Sequence, residues 1–205
     1  PAAECGFSYR MSRFKSADAG RFVVCGVAFR LRHGPPTTTY ADVGAYLKLK
    51  QILAPTLADV RRAVLDIRRA KSMVIDTADP NTRSVGSFFM NPIVPIAVRD
   101  RIAEKTSESV PGYASGGSHV KIPAAWLIER AGFNKGYDGG TVAISTKHPL
   151  AIVNRGGATA RDIVRFASKV KRAVAERFGV WLRPEPVFVG FNADPDVANL
   201  KRTGP

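Results

Sequence analysis

The spacing of apolar residues changes several times along the chain, and each change predicts an element. Val23, Cys25, Val27, Phe29 and Leu31 alternate with their neighbours within residues 21–32, the period-two pattern of a strand with one buried face. Behind Pro55-Thr56, residues Leu57, Val60, Val64 and Ile67 recur every three or four positions. That spacing lays an apolar stripe along a helix, with Thr56 as N-cap and Asp59 three residues on. A short charged helix carrying Ile96, Ile102 and Ala103 is expected to run to about Thr106, and residues 124–131 read as an apolar helix containing Trp126 as a core anchor. Gly132 can end it in a left-handed conformation. Strands are expected at 142–145 and 150–154, with His148 in the turn between them. A helix from 159 to 178 follows, with Ile163, Phe166, Val170 and Val174 on one face. Helices and strands mixed in this way describe an α+β chain.

The connecting stretches are polar. Residues 33–40 hold two prolines and three threonines and end on Tyr40, a loop able to act as a lid. Residues 111–121 are rich in small residues and read as a flexible loop, in which His119 has no second ligand or acid in sequence reach. Gly156-Gly157 precedes a helix and can cradle a phosphate. It lacks the dinucleotide and P-loop patterns, so a tight strand-to-helix turn is the better reading. The tail from Asn192 to Pro205 is polar and is expected to be poorly ordered near its end.

Charge narrows the function. The 205 residues carry a formal net charge of +14 and a pI near 10.3, which favours an anionic partner. The basic residues are dispersed, although Arg61, Arg62, Arg68 and Arg69 line the polar face of one predicted helix and Lys71 follows it. Arg offers a planar fork to phosphate oxygens and Lys a point charge. The two cysteines, Cys5 and Cys25, fit no zinc spacing or disulfide framework; Cys25 is expected to be a buried thiol in a reducing, cytosolic setting. No apolar run reaches the roughly 20 residues that span a bilayer. Pro1-Ala2-Ala3-Glu4 does not resemble a signal peptide, and the chain reads as a fragment that opens in mid-motif.

Candidate chemistry concentrates in Ser84-Val85-Gly86-Ser87-Phe88-Phe89-Met90-Asn91-Pro92. Gly86 permits a bend or a close approach, and the two aromatics can anchor the segment while Ser87 and Asn91 stay accessible. Taken alone, this is a Gly-Ser turn entering a buried aromatic strand. Three further blocks change that reading: Cys5-Gly6-Phe7-Ser8-Tyr9-Arg10-Met11-Ser12-Arg13-Phe14-Lys15, Ala125-Trp126-Leu127-Ile128-Glu129, and Trp181-Leu182-Arg183-Pro184-Glu185-Pro186. In their order and spacing all four resemble the UDP-N-acetylenolpyruvoylglucosamine reductase family, flavoenzymes of peptidoglycan precursor synthesis.

The resemblance implies NADPH-dependent, FAD-mediated reduction of UDP-N-acetylglucosamine enolpyruvate to UDP-N-acetylmuramate. It implies residues 1–72 as the tail of a PCMH-type FAD-binding domain with its substrate-capping loop, then residues 73–205 as an α/β substrate-binding domain with a closing strand. Arg10 would lie against flavin and substrate and, with Glu185, stabilise the enolate-like charge; Ser87 would be the general acid. Tyr9, Tyr40, Lys71, Asn91, Tyr113, Lys121 and His148 would contact substrate, with Tyr46 the competitor of Tyr40 for the capping role. Met11 stands where the family usually carries Asp. No metal is implied, and FAD and NADPH are the cofactors. A UDP-sugar is the expected partner, with no nucleic acid or membrane. The protein is expected to be a monomer, and to need the family's N-terminal FAD-binding segment to hold flavin tightly. The rivals are a basic nucleic-acid-binding module, which lacks interleaved aromatics and any recognised motif, and a non-catalytic scaffold.

Overall fold

The computed structural model describes residues 1–204. Two compact units emerge, residues 1–36 and residues 37 onward, so the expected boundary near 72 lies inside the second unit. In the first, 3-10 turns at Ala2–Cys5 and Arg13–Lys15 flank a tight reversal in which Ser8 and Met11 exchange backbone hydrogen bonds at 3.1 Å. Arg13 and Arg21 both bind the buried carboxylate of Asp18.

The strand expected over 21–32 does not form. Val23 is 87 %, Phe29 79 % and Leu31 85 % exposed, and Cys25 is an exposed thiol, contrary to expectation. A strand's N–H and C=O groups need a neighbouring strand. Among the described residues none pairs with this stretch, so its alternating pattern has no sheet to lie on.

The second unit opens with helix α1 (Ala41–Leu49), which the apolar spacing did not announce, and α2 (Leu57–Ala70). Thr56 and Asp59 form a reciprocal capping box at the start of α2. The two helices pack through Val43, Leu47 and Ala63, with Val60 and Ile67 beside them. Leu57 and Val64 of the expected stripe face outward instead, because α1 covers only part of that face.

The remaining elements are β1 (Ser84–Ser87), β2 (Ile93–Pro95), α3 (Ile96–Thr106), β3 (Tyr113–Ala114), β4 (His119–Lys121), α4 (Ala124–Arg130), β5 (Val142–Ile144), β6 (Ala151–Asn154), α5 (Ala160–Phe178) and α6 (Pro195–Lys201). They build two antiparallel sheets, ordered β1-β6-β5 and β2-β4-β3. The stretch 111–121, expected to be a flexible loop, contributes the β3–β4 hairpin to the second sheet. Helix α5 starts at a Thr159–Asp162 capping box and buries Phe166, Val170 and Val174 in the main core. Trp126 of α4 packs against that core, 5.9 Å from the Phe178 ring. Gly132, at φ +96°, follows α4 as anticipated.

The tail adds a helix that the sequence reading did not anticipate. Asp194 caps α6, which buries Val197 and Leu200, and Lys171 of α5 donates to the carbonyls of Leu200 and Arg202 at its far end. Apolar residues at 197 and 200, one turn apart, give this short polar segment enough to bury. The final residue, Pro205, lies outside the described residues. The α+β class is as expected.

Candidate functional site

Ser87 sits where β1 leaves its sheet. Ser84 pairs with Val153 and Ser87 with Ala151, so β1 spends one more residue than β6 over the same span. That is a β-bulge, and Gly86 sits in it at φ +82°. A Cβ on Gly86 would meet nothing within 4 Å, so the glycine supplies the bend and not a close approach. Phe88 and Phe89 follow, each 2 % exposed with ring centroids 5.1 Å apart, and anchor the segment in the core. Ser87 and Asn91 remain half-buried beside them.

Backbone hydrogen bonds bring remote residues to this segment. The Phe88 N–H donates to the Leu150 carbonyl at 2.8 Å, and the Phe88 carbonyl accepts from the Glu185 N–H at 2.9 Å. Met90 N–H donates to Arg183 at 2.9 Å, and Phe89 bridges Pro184. Glu185, half-buried between two prolines, is therefore fixed in an extended run directly across from the residue after Ser87. Ser87 and Glu185, remote in sequence, belong to one neighbourhood.

His148 joins them through Leu150. Its Nδ1 accepts the Leu150 N–H at 3.1 Å, and its own N–H donates to Ser145 Oγ at 3.3 Å. The imidazole is held below the usual histidine range first by burial, then by the positive charges of Lys71 and Lys135. Lys71 caps the end of α2 and stands 2.7 Å from the Asp42 carboxylate, both half-exposed.

On the second sheet Lys121 pairs with Ile93 on one side and Tyr113 on the other, and its ammonium lies 6.0 Å from the Tyr113 ring. Asn91 Oδ1 accepts the Ala124 N–H at 2.9 Å, which gives its carbonyl a structural task at the start of α4. The two tyrosines weighed for capping differ. Tyr46 donates to Asp66 Oδ2 at 2.6 Å between α1 and α2, whereas Tyr40 is 72 % exposed just ahead of α1. In the first unit, Arg10 takes φ +57° at the corner of the Ser8–Met11 reversal, with Tyr9 exposed beside it.

At the Gly156-Gly157 turn, Asn154 Oδ1 accepts from the Gly156 N–H at 2.8 Å and the Ala158 N–H at 3.3 Å, so these two donors are spent on a neighbouring side chain. Among the described residues no helix is long and apolar enough to cross a membrane, and no three His, Cys, Asp or Glu residues cluster to hold a metal.

Residues 79–189 match the family model described as UDP-N-acetylenolpyruvoylglucosamine reductase, C-terminal domain. The chain belongs to this family. It is 49 % identical over 197 residues to the UDP-N-acetylenolpyruvoylglucosamine reductase of Thermobifida fusca, covering 92 % of this chain and 55 % of that one. The Salinispora arenicola protein of the same name is 46 % identical over 195 residues (92 % and 53 %), and that of Mycobacterium marinum 46 % over 199 (93 % and 54 %). The chain spans about half the length of the curated relatives it matches. Nothing in these matches supports the nucleic-acid-binding alternative.

Within this reductase family domain, sequence reasoning passed over Asp79, Asn81 and Lys147, which tie the segment before β1 to the β5–β6 turn. The available signal was Asp79-Pro80-Asn81-Thr82, whose composition marks a turn and says nothing about what that turn grips.

Proposed function

We propose that this chain is the substrate-binding part of an enzyme that reduces UDP-N-acetylglucosamine enolpyruvate to UDP-N-acetylmuramate, a cytoplasmic step of peptidoglycan precursor synthesis. The observation that supports the reading is the 2.9 Å hydrogen bond from Glu185 N–H to the carbonyl of Phe88, which brings the backbone of Glu185 next to the segment that carries Ser87. FAD, reduced by NADPH, supplies the hydride chemistry when bound. Arg10 is the residue of this chain that would lie against the flavin.

The chain's own residues do the rest. Addition to the vinyl carbon leaves negative charge on the carbon next to the substrate carboxylate. Arg10, a permanent cation, and Glu185, in its acid form, stabilise that charge. Ser87 then passes its hydroxyl proton to the carbon as general acid. Lys71, Lys121 and His148 hold the anionic and polar parts of the UDP-sugar, Tyr9, Asn91 and Tyr113 line it, and Tyr40 covers it. The dense positive charge draws in a substrate carrying a diphosphate and a carboxylate.

Ser87→Ala in the full-length reductase tests the assignment. Reduction of the flavin by NADPH should proceed as before, while reoxidation by UDP-N-acetylglucosamine enolpyruvate slows about 10²- to 10⁴-fold, the usual contribution of a general acid. Reoxidation at the wild-type rate removes Ser87 from the chemistry, and a protein whose flavin NADPH does not reduce removes the reaction itself.

A further inference from the structure

We propose that Asp79 and Asn81 are positioning residues that hold Lys71 and His148 together as one subsite for the diphosphate of the nucleotide sugar. This rests on the substrate reading above and adds two residues to it.

Asp79 caps a 3-10 turn, Pro80–Thr82, and uses both carboxylate oxygens. Oδ1 accepts from the backbone and side-chain N–H groups of Asn81, each at 2.9 Å. Oδ2 accepts from Ser72 Oγ at 2.7 Å and from Lys147 Nζ at 3.0 Å. The first partner immediately follows Lys71 and the second immediately precedes His148. One carboxylate therefore grips the chain next to both candidate substrate contacts, and these hydrogen bonds hold it well below the usual carboxylate range.

Asn81 makes the second grip. It is 5 % exposed, and its Oδ1 accepts from Thr146 N–H at 3.0 Å and from the hydroxyls of Ser145 and Thr146 at 3.3 Å. Ser145 Oγ in turn accepts the N–H groups of Lys147 and His148 at 3.2 and 3.3 Å. The polar atoms of the Ser145–His148 turn thus run back to the 79–81 segment. At the other end, buried Ser72 adopts φ +55°, a conformation uncommon outside glycine, just where α2 stops. Its hydroxyl bond to Asp79 supports that conformation and fixes the exit of the chain at Lys71.

The geometry suits an anion. His148 Nδ1 is occupied as an acceptor, so the neutral ring carries its proton on Nε2 and presents a donor. Lys71 and Lys135 both raise the positive potential at the ring, and Lys135 rides on a loop whose Gly136 N–H donates to Ser145 at 3.2 Å. Asp42, now 2.7 Å from Lys71, stands in for the anion that the subsite would take. A diphosphate offers more charge and more acceptors than that single half-exposed carboxylate.

The test measures affinity for UDP-N-acetylglucosamine enolpyruvate in the full-length reductase, alongside thermal melting. Asp79→Asn keeps the shape and removes the charge that orders Ser72 and Lys147. It should weaken binding about tenfold, and in a Lys71→Met, His148→Gln background the same change should weaken it less than about twofold, since both groups it positions are already gone. A merely structural role would weaken binding equally in both backgrounds, and that result overturns the proposal, as does wild-type affinity in a folded Asp79→Asn protein. If Asp79→Asn does not fold, Ser72→Ala and Lys147→Met each remove one grip and carry the same comparison. Wild-type enzyme that ignores the nucleotide sugar overturns the substrate reading and this one with it; binding that survives Asp79→Asn overturns only this one.

Discussion

Residues 21–32 and helix α5 carry equally clear apolar patterns and meet opposite fates. The period-two stretch has Val23, Phe29 and Leu31 more than three-quarters exposed, while the period-3.6 stretch buries Phe166, Val170 and Val174. The difference lies in where each conformation finds its hydrogen bonds. A helix closes its own N–H···O=C ladder within four residues, and α5 adds a capping box for its first turn and Gly179, at φ +69°, for its last. It needs neighbours only to cover one face, and α4, β5 and β6 provide them. A strand makes its ladder only with a second strand, and without one its N–H and C=O groups have no ladder partner. Pattern strength alone does not decide which segments become structure; the source of the partner does.

Substitutions in the two regions sharpen that contrast. The largest effect belongs to Phe166→Ala. Phe166 stacks edge-on against Phe133 at 6.0 Å and is 7 % exposed, so truncation should cost about 3–5 kcal/mol through lost burial and the cavity left behind. Denaturant unfolding reads it directly, and a loss under about 1 kcal/mol would mean that α5 does not organise this core.

Next in size is Lys171→Met, within the same helix. Lys171 has no exposed surface, and burial followed by the neighbouring Arg202 charge lowers its ammonium to about 8. Methionine keeps the stem and leaves the Leu200 and Arg202 carbonyls without their donor, at a cost of about 1–3 kcal/mol. The pH dependence is the sharper readout. Free lysine titrates near 10.4. Between about 8 and that value the unfolded chain keeps a proton that the folded chain has released, so this group makes the fold more stable as pH rises. Methionine removes that contribution. Equal slopes of stability against pH in both proteins would show that the fold does not lower the Lys171 ammonium.

The same contrast explains what could be read from the sequence. Local signals survived intact: the Thr56–Asp59 cap, the helix over 159–178, the turn at His148, the aromatic anchors after Ser87 and the φ of Gly132. Features set by distant partners did not. The α6 helix depends on a lysine far upstream, and the β3–β4 hairpin hid in a run of small residues until β2 gave it a sheet. In the site, Ser87 and Glu185 were legible from family motifs, but the hydrogen bond joining their segments is long-range. Asp79 and Asn81 gave only a turn signal, because the partners they bond lie far along the chain.

The smallest expected effect is also the one that can break the comparison. Phe29 is a large aromatic at 79 % exposure, and nothing in residues 21–32 pairs as strand among the described residues. Replacing an exposed side chain away from caps, cores and strained backbone shifts stability by no more than about 0.5 kcal/mol. Phe29→Ser in this 205-residue chain should therefore leave the denaturant midpoint unmoved, against the several kcal/mol at Phe166. Should serine at 29 destabilise the chain by more than about 1 kcal/mol, residues 21–32 are packed in solution. Their alternating pattern would then have found a partner after all, and the lesson drawn from α5 would not hold for this segment.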